Sequence, residues 1–403
     1  MLKRALLTLA AGALAACAGA PQPMLENTAA PTPPRVLTLP GYPQTVQARL
    51  TTRADNVLAN LNGRIAQASG SDLRTLATRS GALYQRYQIL GSLADLDEAY
   101  RIAQEVAADP QASSDALLLW ATIASYMHGF DQATAALDRL PAAEQSKTEA
   151  FREDMARARN MRPHQPEPAA LPAGGELAML RDQAADCVEQ GDLECASERF
   201  HRAQFFYTDS GPLPLAWLHT QQGITLLRFG HPDWAIRFFR AALARVPNYY
   251  LAAEHLGECL GLTGSYDEGR EVYESVIAQT GNPEYIAGLA GLEKLAGNSD
   301  RAEQLIIQAR LGFAERLKKF PDAYAQHAVD FYIETGDLAT AVALSTRNLE
   351  LRQDASAYLL KAHVDLASGR TDESCALLAQ VAAAGYRPPE FSELRANMPN
   401  CRL

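Results

Sequence analysis

Gly223 to Pro247 reads GITLLRFGHPDWAIRFFRAALARVP, and this stretch decides the fold. Ile224, Leu227 and Phe229 belong to a first amphipathic helix. Gly230 ends it, because glycine accepts the left-handed backbone that closes a helix. Pro232 and Asp233 begin a second helix: the proline φ is already helical, and the aspartate is an acceptor near free N–H groups. Ala235, Phe238, Phe239, Ala242 and Leu243 recur at spacings of three and four, which is one helix face, and Pro247 stops the run. The stretch is a helix hairpin.

Outward from it, the same unit recurs. Turn glycines stand at Gly191, Gly230, Gly264, Gly297, Gly336 and Gly369, with gaps of 39, 34, 33, 39 and 33. Seven residues before each comes Ala184, Gly223, Gly257, Ala290, Val329 or Ala362; five after comes Ala196, Ala235, Gly269, Ala302, Ala341 or Ser374. Nine after come Phe200, Phe239, Tyr273, Ile306, Ser345 and Leu378. Small residues let paired helices approach, and the large one fills the gap to the next hairpin. This pattern resembles the tetratricopeptide repeat (TPR) family, whose period is 34 residues. The resemblance covers about Glu176 to Gly385. It departs where the family carries a large aromatic early in the first helix, since Leu180, His219, Ala253, Ile286, Ala325 and Tyr358 stand there. The expected fold is all-α, a solenoid of about eight TPR-like hairpins; an α-solenoid of another hairpin type is the alternative.

At the start of the chain, Lys3 and Arg4 precede an apolar run from Ala5 to Ala16, too short to span a bilayer. It reads as a signal peptide, 1–16, ending in Leu14-Ala15-Ala16-Cys17. That resembles the lipobox of bacterial lipoproteins, which implies a diacylated Cys17 as the new N-terminus. Ala18 is not aspartate, so the family rule points to the outer membrane. Without Lys3 and Arg4 the chain has 35 basic against 47 acidic side chains, a net of −12. Such a chain is a poor general binder of nucleic acid or anionic lipid, so membrane contact is expected through the lipid chains. Residues 17–44 hold Pro21, Pro23, Pro31, Pro33, Pro34, Pro40 and Pro43 and read as an extended tether.

Residues 45–161 read as a helical block. Val57, Leu58, Leu61 and Ile65 form a stripe, and Leu96-Asp97-Glu98-Ala99 and Phe130-Asp131-Gln132-Ala133 mark two degenerate TPR-like units. Gln145 to Met161 is expected to be one exposed helix of little apolar content. Residues 162–175, RPHQPEPAALPAGG, are the internal linker, and 176–403 the main solenoid with about six hairpins.

Five cysteines follow Cys17. Cys187 lies four residues before Gly191 and Cys195 four after, facing each other across one hairpin. Cys375 on the last second helix would pin Cys401 and the tail over the end of the stack. Export permits both disulfides, with buried free thiols as the alternative for the first pair, and Cys259 is left for the core. No CxxC or HExxH spacing suits zinc, and no cofactor or metal is expected. His231-Pro232-Asp233 occurs in J-domain co-chaperones too, but the repeat turn explains it and the rest of that pattern is absent.

No catalytic constellation stands out. The TPR resemblance implies a non-enzymatic scaffold that binds protein or peptide partners in a groove lined by the first helices. Residues ten and six before each turn glycine include Arg181, Thr220, Glu254, Glu258, Gln326, Asp330 and His363; Arg228 and Glu334 join them as groove candidates. Lys and Asn are missing from these offsets, so the family's clamp for a C-terminal carboxylate is not expected. Glu254 and Glu258 share a face, Asp330 and Glu334 repeat the arrangement, and exposed carboxylates there imply a basic partner. TPR lipoproteins imply pilus or secretion-system assembly first, then adaptors for peptidoglycan hydrolases or outer-membrane protein assembly. An envelope enzyme, or a spacer between membrane and wall, are the other classes. Oligomeric state is not readable.

Overall fold

A computed structural model describes residues 44–163, 176–205, 207 and 211–403. The leader 1–16, Cys17, the proline-rich tether up to 43 and the linker from 164 to 175 lie outside these described residues. Among them the regular structure is helical, with no strand. After α1 (Gln44–Gln67) come the hairpins α2 (Leu73–Leu90) with α3 (Leu93–Ala108) and α4 (Ser114–Tyr126) with α5 (Phe130–Asp138). Short α6 (Ala142–Gln145) and α7 (Glu149–Arg159) end this block. Six more hairpins follow: α8 (Glu176–Glu189) with α9 (Leu193–Phe205), α10 (Pro212–Arg228) with α11 (Pro232–Leu243), and α12 (Tyr250–Leu262) with α13 (Tyr266–Thr280). The last three are α14 (Pro283–Leu295) with α15 (Ser299–Lys319), α16 (Pro321–Glu334) with α17 (Leu338–Leu351), and α18 (Ala355–Ala367) with α19 (Thr371–Ala383). A final helix is α20 (Pro389–Ala396).

Each of the six turns closes alike. At Gly230 the φ is +78°, its N–H donates to the Leu227 carbonyl, and the His231 N–H reaches back to Leu226 at 2.9 Å. The same pair of bonds recurs at Gly191, Gly264, Gly297, Gly336 and Gly369, so the orphan carbonyls of each first helix are satisfied. The 39-residue gap before Gly336 is taken up by α15, which runs 21 residues. Close approach inside a hairpin rests on the small residue of the first helix. A Cβ on Gly223 would stand 2.6 Å from the buried Phe239 ring, and one on Gly257 2.9 Å from Tyr273. Tyr273 also lies against Gly288 of the next hairpin, so the large residue seals both gaps.

The first block is docked onto the second. Its helices meet the edge formed by the junctions between hairpins. Gln279 donates to the Leu90 carbonyl at 2.7 Å, and Arg316 and Lys319 both reach Asp97. His128 Nδ1–H donates to the Asp322 carbonyl at 3.1 Å, which fixes its tautomer, and the Gln353 N–H donates to the Ala158 carbonyl at 2.9 Å. Tyr87 lies by Tyr250 and Tyr100 by Phe320. A common core runs from Ala54 to Tyr324 through both blocks. Two expectations are corrected here. The segment from Gln145 to Met161 is not one exposed helix: a 3-10 turn at Ser146–Thr148 breaks it, and Phe151, Met155 and Ala158 are buried. Val57 is exposed, the inward stripe of α1 being Ala54, Leu58, Leu61 and Ile65.

The main solenoid comes round on itself. The Arg387 N–H donates to the Glu189 carbonyl at 2.8 Å, and Gln190 donates to the Gly385 carbonyl at 3.0 Å. Arg228 holds both oxygens of Glu390, at 2.6 and 2.9 Å. Disulfides brace both sides of this seam: Cys187–Cys195 ties the α8–α9 hairpin, and Cys375–Cys401 ties the tail to α19. Cys259 is unbridged and buried. From the loop lengths alone, the entropy model gives about 2.5 and 3.5 kcal/mol for the two bridges.

Candidate functional site: the inner row of first helices

The first helices α12, α14, α16 and α18 stand side by side, and their inward faces carry carboxylates and imidazoles. On α12, His255 Nε2 lies 3.3 Å from Glu254 and its Nδ1 3.3 Å from Glu258. The three side chains are only 12–19% exposed. The imidazole ring is stacked on Phe239 of the preceding hairpin, which sets its plane. On α14, Glu284 meets His327 Nδ1 of α16 at 3.3 Å. Asp330 of α16 in turn lies 3.8 Å from His363 Nδ1 of α18.

Burial and neighbouring charges shift the titration of these groups. Burial, reinforced by Glu258 and Glu284 and opposed by His255, raises the Glu254 carboxyl. Burial alone would lower His255, but the carboxylates of Glu254 and Glu258 outweigh it and its pKa is raised. Asp330 is pushed up to about 7 by burial, with Glu334 and Glu284 adding like charge. Such shifts need a low-dielectric wall, and the charges acting on one another here come from neighbouring hairpins.

The groove candidates therefore divide. Glu254, Glu258 and Asp330 line this row but are half-buried, against the expectation of exposure. Glu334, at the end of α16 beside its turn, is exposed. His363 joins through Asp330. Others are tied into the fold. Thr220 is fully buried, its hydroxyl donating to the Ala216 carbonyl at 2.9 Å, because α10 is enclosed on both sides. Arg228 is held by Glu390 in the seam. Gln326 accepts from Arg352. Arg181 turns to its neighbour Asp182 and lies over the Trp217 ring. His255, His327 and Glu284 were missed. The two histidines share one offset, nine residues before Gly264 and Gly336, and reading that offset would have found both.

Among the described residues, eight two-helix hairpins, seven of them with a left-handed glycine at the turn and five of those with Ala or Gly seven residues before it, set the architecture. The fold is an all-α solenoid of TPR-like helix hairpins. Known proteins bear on it as follows. No family model matches it, and no curated protein does. Among solved structures it is similar to a thermophilic TPR protein of Thermus thermophilus, at 20% identity and TM-score 0.37, over 46% of this chain and 98% of that one. It is similar to a tetratricopeptide repeat protein of Parabacteroides merdae at 16% identity and TM-score 0.36, over 71% and 99%. PilF of Pseudomonas aeruginosa is similar at 15% identity and TM-score 0.30, over 55% and 97%. The repeat assignment rests on this chain's own turns and helix pairs.

Proposed function

We propose that this chain is a non-enzymatic scaffold that holds a basic segment of a partner protein against the inner row of the repeats. One observation carries the reading. Three successive first helices, α12, α14 and α16, turn Glu254, Glu258, Glu284 and Asp330 to one wall with imidazoles as their nearest counter-charges, while exposed Glu334 at its rim has Lys294 of α14 near it. Half-buried carboxylates at such density favour a cationic guest, because its charge replaces water they have already lost. The junction edge of the solenoid is covered by the first block. At the opposite edge, a Cβ on the turn glycines Gly230, Gly264, Gly297, Gly336 or Gly369 would meet nothing within 4 Å. A guest enters from that side, past Glu334.

In this reading the protein is lipid-anchored through Cys17, on the periplasmic face of a bacterial outer membrane, with the proline-rich segment as tether. The motivation is Leu14-Ala15-Ala16-Cys17 after a charged start. The process comes from the lipoprotein and repeat resemblance alone, and that favours pilus or secretion-system assembly over hydrolase adaptors or outer-membrane protein assembly.

The test is a titration. A partner recovered from detergent-solubilised envelopes, and a lysine-rich peptide copied from it, are titrated against wild type and the Asp330→Asn, Glu334→Gln double variant. The expected result is about fivefold weaker binding in the variant at low salt, with the difference shrinking at high salt. Equal affinity at low salt overturns the reading.

A further inference from the structure

We infer that Glu254, His255 and Glu258 form a binding site for a first-row divalent metal ion of the Zn2+ class. The three ligand atoms lie within 4.8 Å of one another on one helix. A metal with bonds of about 2.0–2.2 Å needs its ligands about 3–4 Å apart; Glu254 lies at Nε2 and Glu258 at Nδ1, so one carboxylate must swing round the ring to complete the set. Helical spacing makes it possible: Glu254 and Glu258 are four apart and His255 and Glu258 three apart, both neighbours on a helix surface.

Two further observations point to a ligand. The His255 Nε2 atom is buried and makes no hydrogen bond, although the ring itself is fixed by stacking on the fully buried Phe239. A nitrogen held in place, shielded from water and facing only the Glu254 carboxylate at 3.3 Å has room for an ion between the two. Second, several strongly held carboxylates elsewhere in the chain are neutralised by permanent cations. Asp95 has Arg86, Asp97 has Arg316 and Lys319, Glu293 has Arg270 and Arg301, and Asp365 has Lys361 and Arg370. At Glu254 and Glu258 that place is left to one imidazole.

The donor chemistry selects the ion. One imidazole and two carboxylates suit zinc and its first-row neighbours, whereas Mg2+ and Ca2+ take oxygen donors. Three protein ligands leave a coordination position for water or for a partner's side chain. The inference does not rest on the peptide reading, whose Asp330 and Glu334 variant leaves these three residues intact, so either can fail alone.

The experiment is calorimetric titration of ZnCl2 into the full chain after EDTA treatment and dialysis, beside MgCl2 and CaCl2. One Zn2+ per chain is expected, with His255→Gln and Glu258→Gln each weakening it at least tenfold and His363→Gln leaving it unchanged. Zinc X-ray absorption should show nitrogen and oxygen neighbours with one imidazole and no sulfur. Circular dichroism checks that each variant is folded, and Glu258→Gln stands in if His255→Gln does not fold. No zinc heat in wild type, undiminished binding in the folded variants, or a sulfur neighbour overturns the site.

Discussion

At the scale of single residues, the buried histidines set the acid limit of the fold. His219 on α10 is fully buried, faces Phe238, and neither ring nitrogen has a hydrogen-bond partner. Burial, with Arg245 adding like charge, lowers its pKa to about 3. The unfolded chain takes up a proton near pH 6.5 that the folded one refuses. Stability from this group is thus present above pH 6.5 and is lost as pH falls toward 3. Asp330 and Glu189, raised to about 7 by burial, work in the opposite sense and lose stability as pH rises through 7. A difference between variants isolates the histidine. His219→Leu should flatten the fall of the melting midpoint between pH 7 and 4 while holding or raising it at pH 7, since it removes buried polar atoms that lack partners. An unchanged acid slope would show that His219 is not the neutral group described. Residue roles were the least legible part of the sequence. Whether Arg228 faces solvent or an anion depends on Glu390, 162 positions away, and no local spacing encodes that.

At the scale of elements, the hairpin is a contest between helix propensity and fit. Gly223→Ala would gain about 0.5–1 kcal/mol of helix propensity. The new Cβ would stand 2.6 Å from the ring of Phe239, which is fully buried and has nowhere to move. Overpacking of that kind costs about 1–3 kcal/mol, so a net loss of roughly 1 kcal/mol is expected in urea unfolding. Gly63→Ala on α1 is the control. Nothing lies within 4 Å of its Cβ, so the propensity gain should appear undiminished. A stabilised Gly223→Ala would mean the hairpin can open without cost. Elements were legible where pattern is local: turn glycines and small-large offsets are fixed by backbone handedness and helix spacing. They were not legible at α7, where Phe151, Met155 and Ala158 make a narrow stripe inside the charged run EAFREDMARAR. There α7 is tied to its own block, by Arg152 with Asp138 and Arg159 with Asp131, as well as to the other block through the Gln353 N–H on the Ala158 carbonyl.

At the scale of the molecule, anchoring and docking divide the work. If Cys17 carries the lipid, Cys17→Ala should take up no labelled palmitate and should move from the envelope to the soluble periplasmic fraction, or stay unprocessed. Fractionation like wild type, with no label in either, removes the anchor from the reading. Docking of the first block was not legible at all. Its contacts, such as His128 with Asp322 and Arg316 with Asp97, join positions 194 and 219 residues apart, and each looks locally like an ordinary polar surface.

The seam changes how such an array comes apart. An open repeat array behaves as a one-dimensional chain of near-neighbour couplings, and it frays from its two free ends. Here the segment after the last hairpin, Arg387 and α20, meets the first two hairpins of the main solenoid, through Arg387 with Glu189 and Arg228 with Glu390. A cycle has no terminal unit. Losing one hairpin breaks two interfaces instead of one, so partial unfolding is suppressed and the transition is more cooperative than the repeat number alone would give. The same closure makes assembly slow, because contacts spanning 162 residues or more must form last.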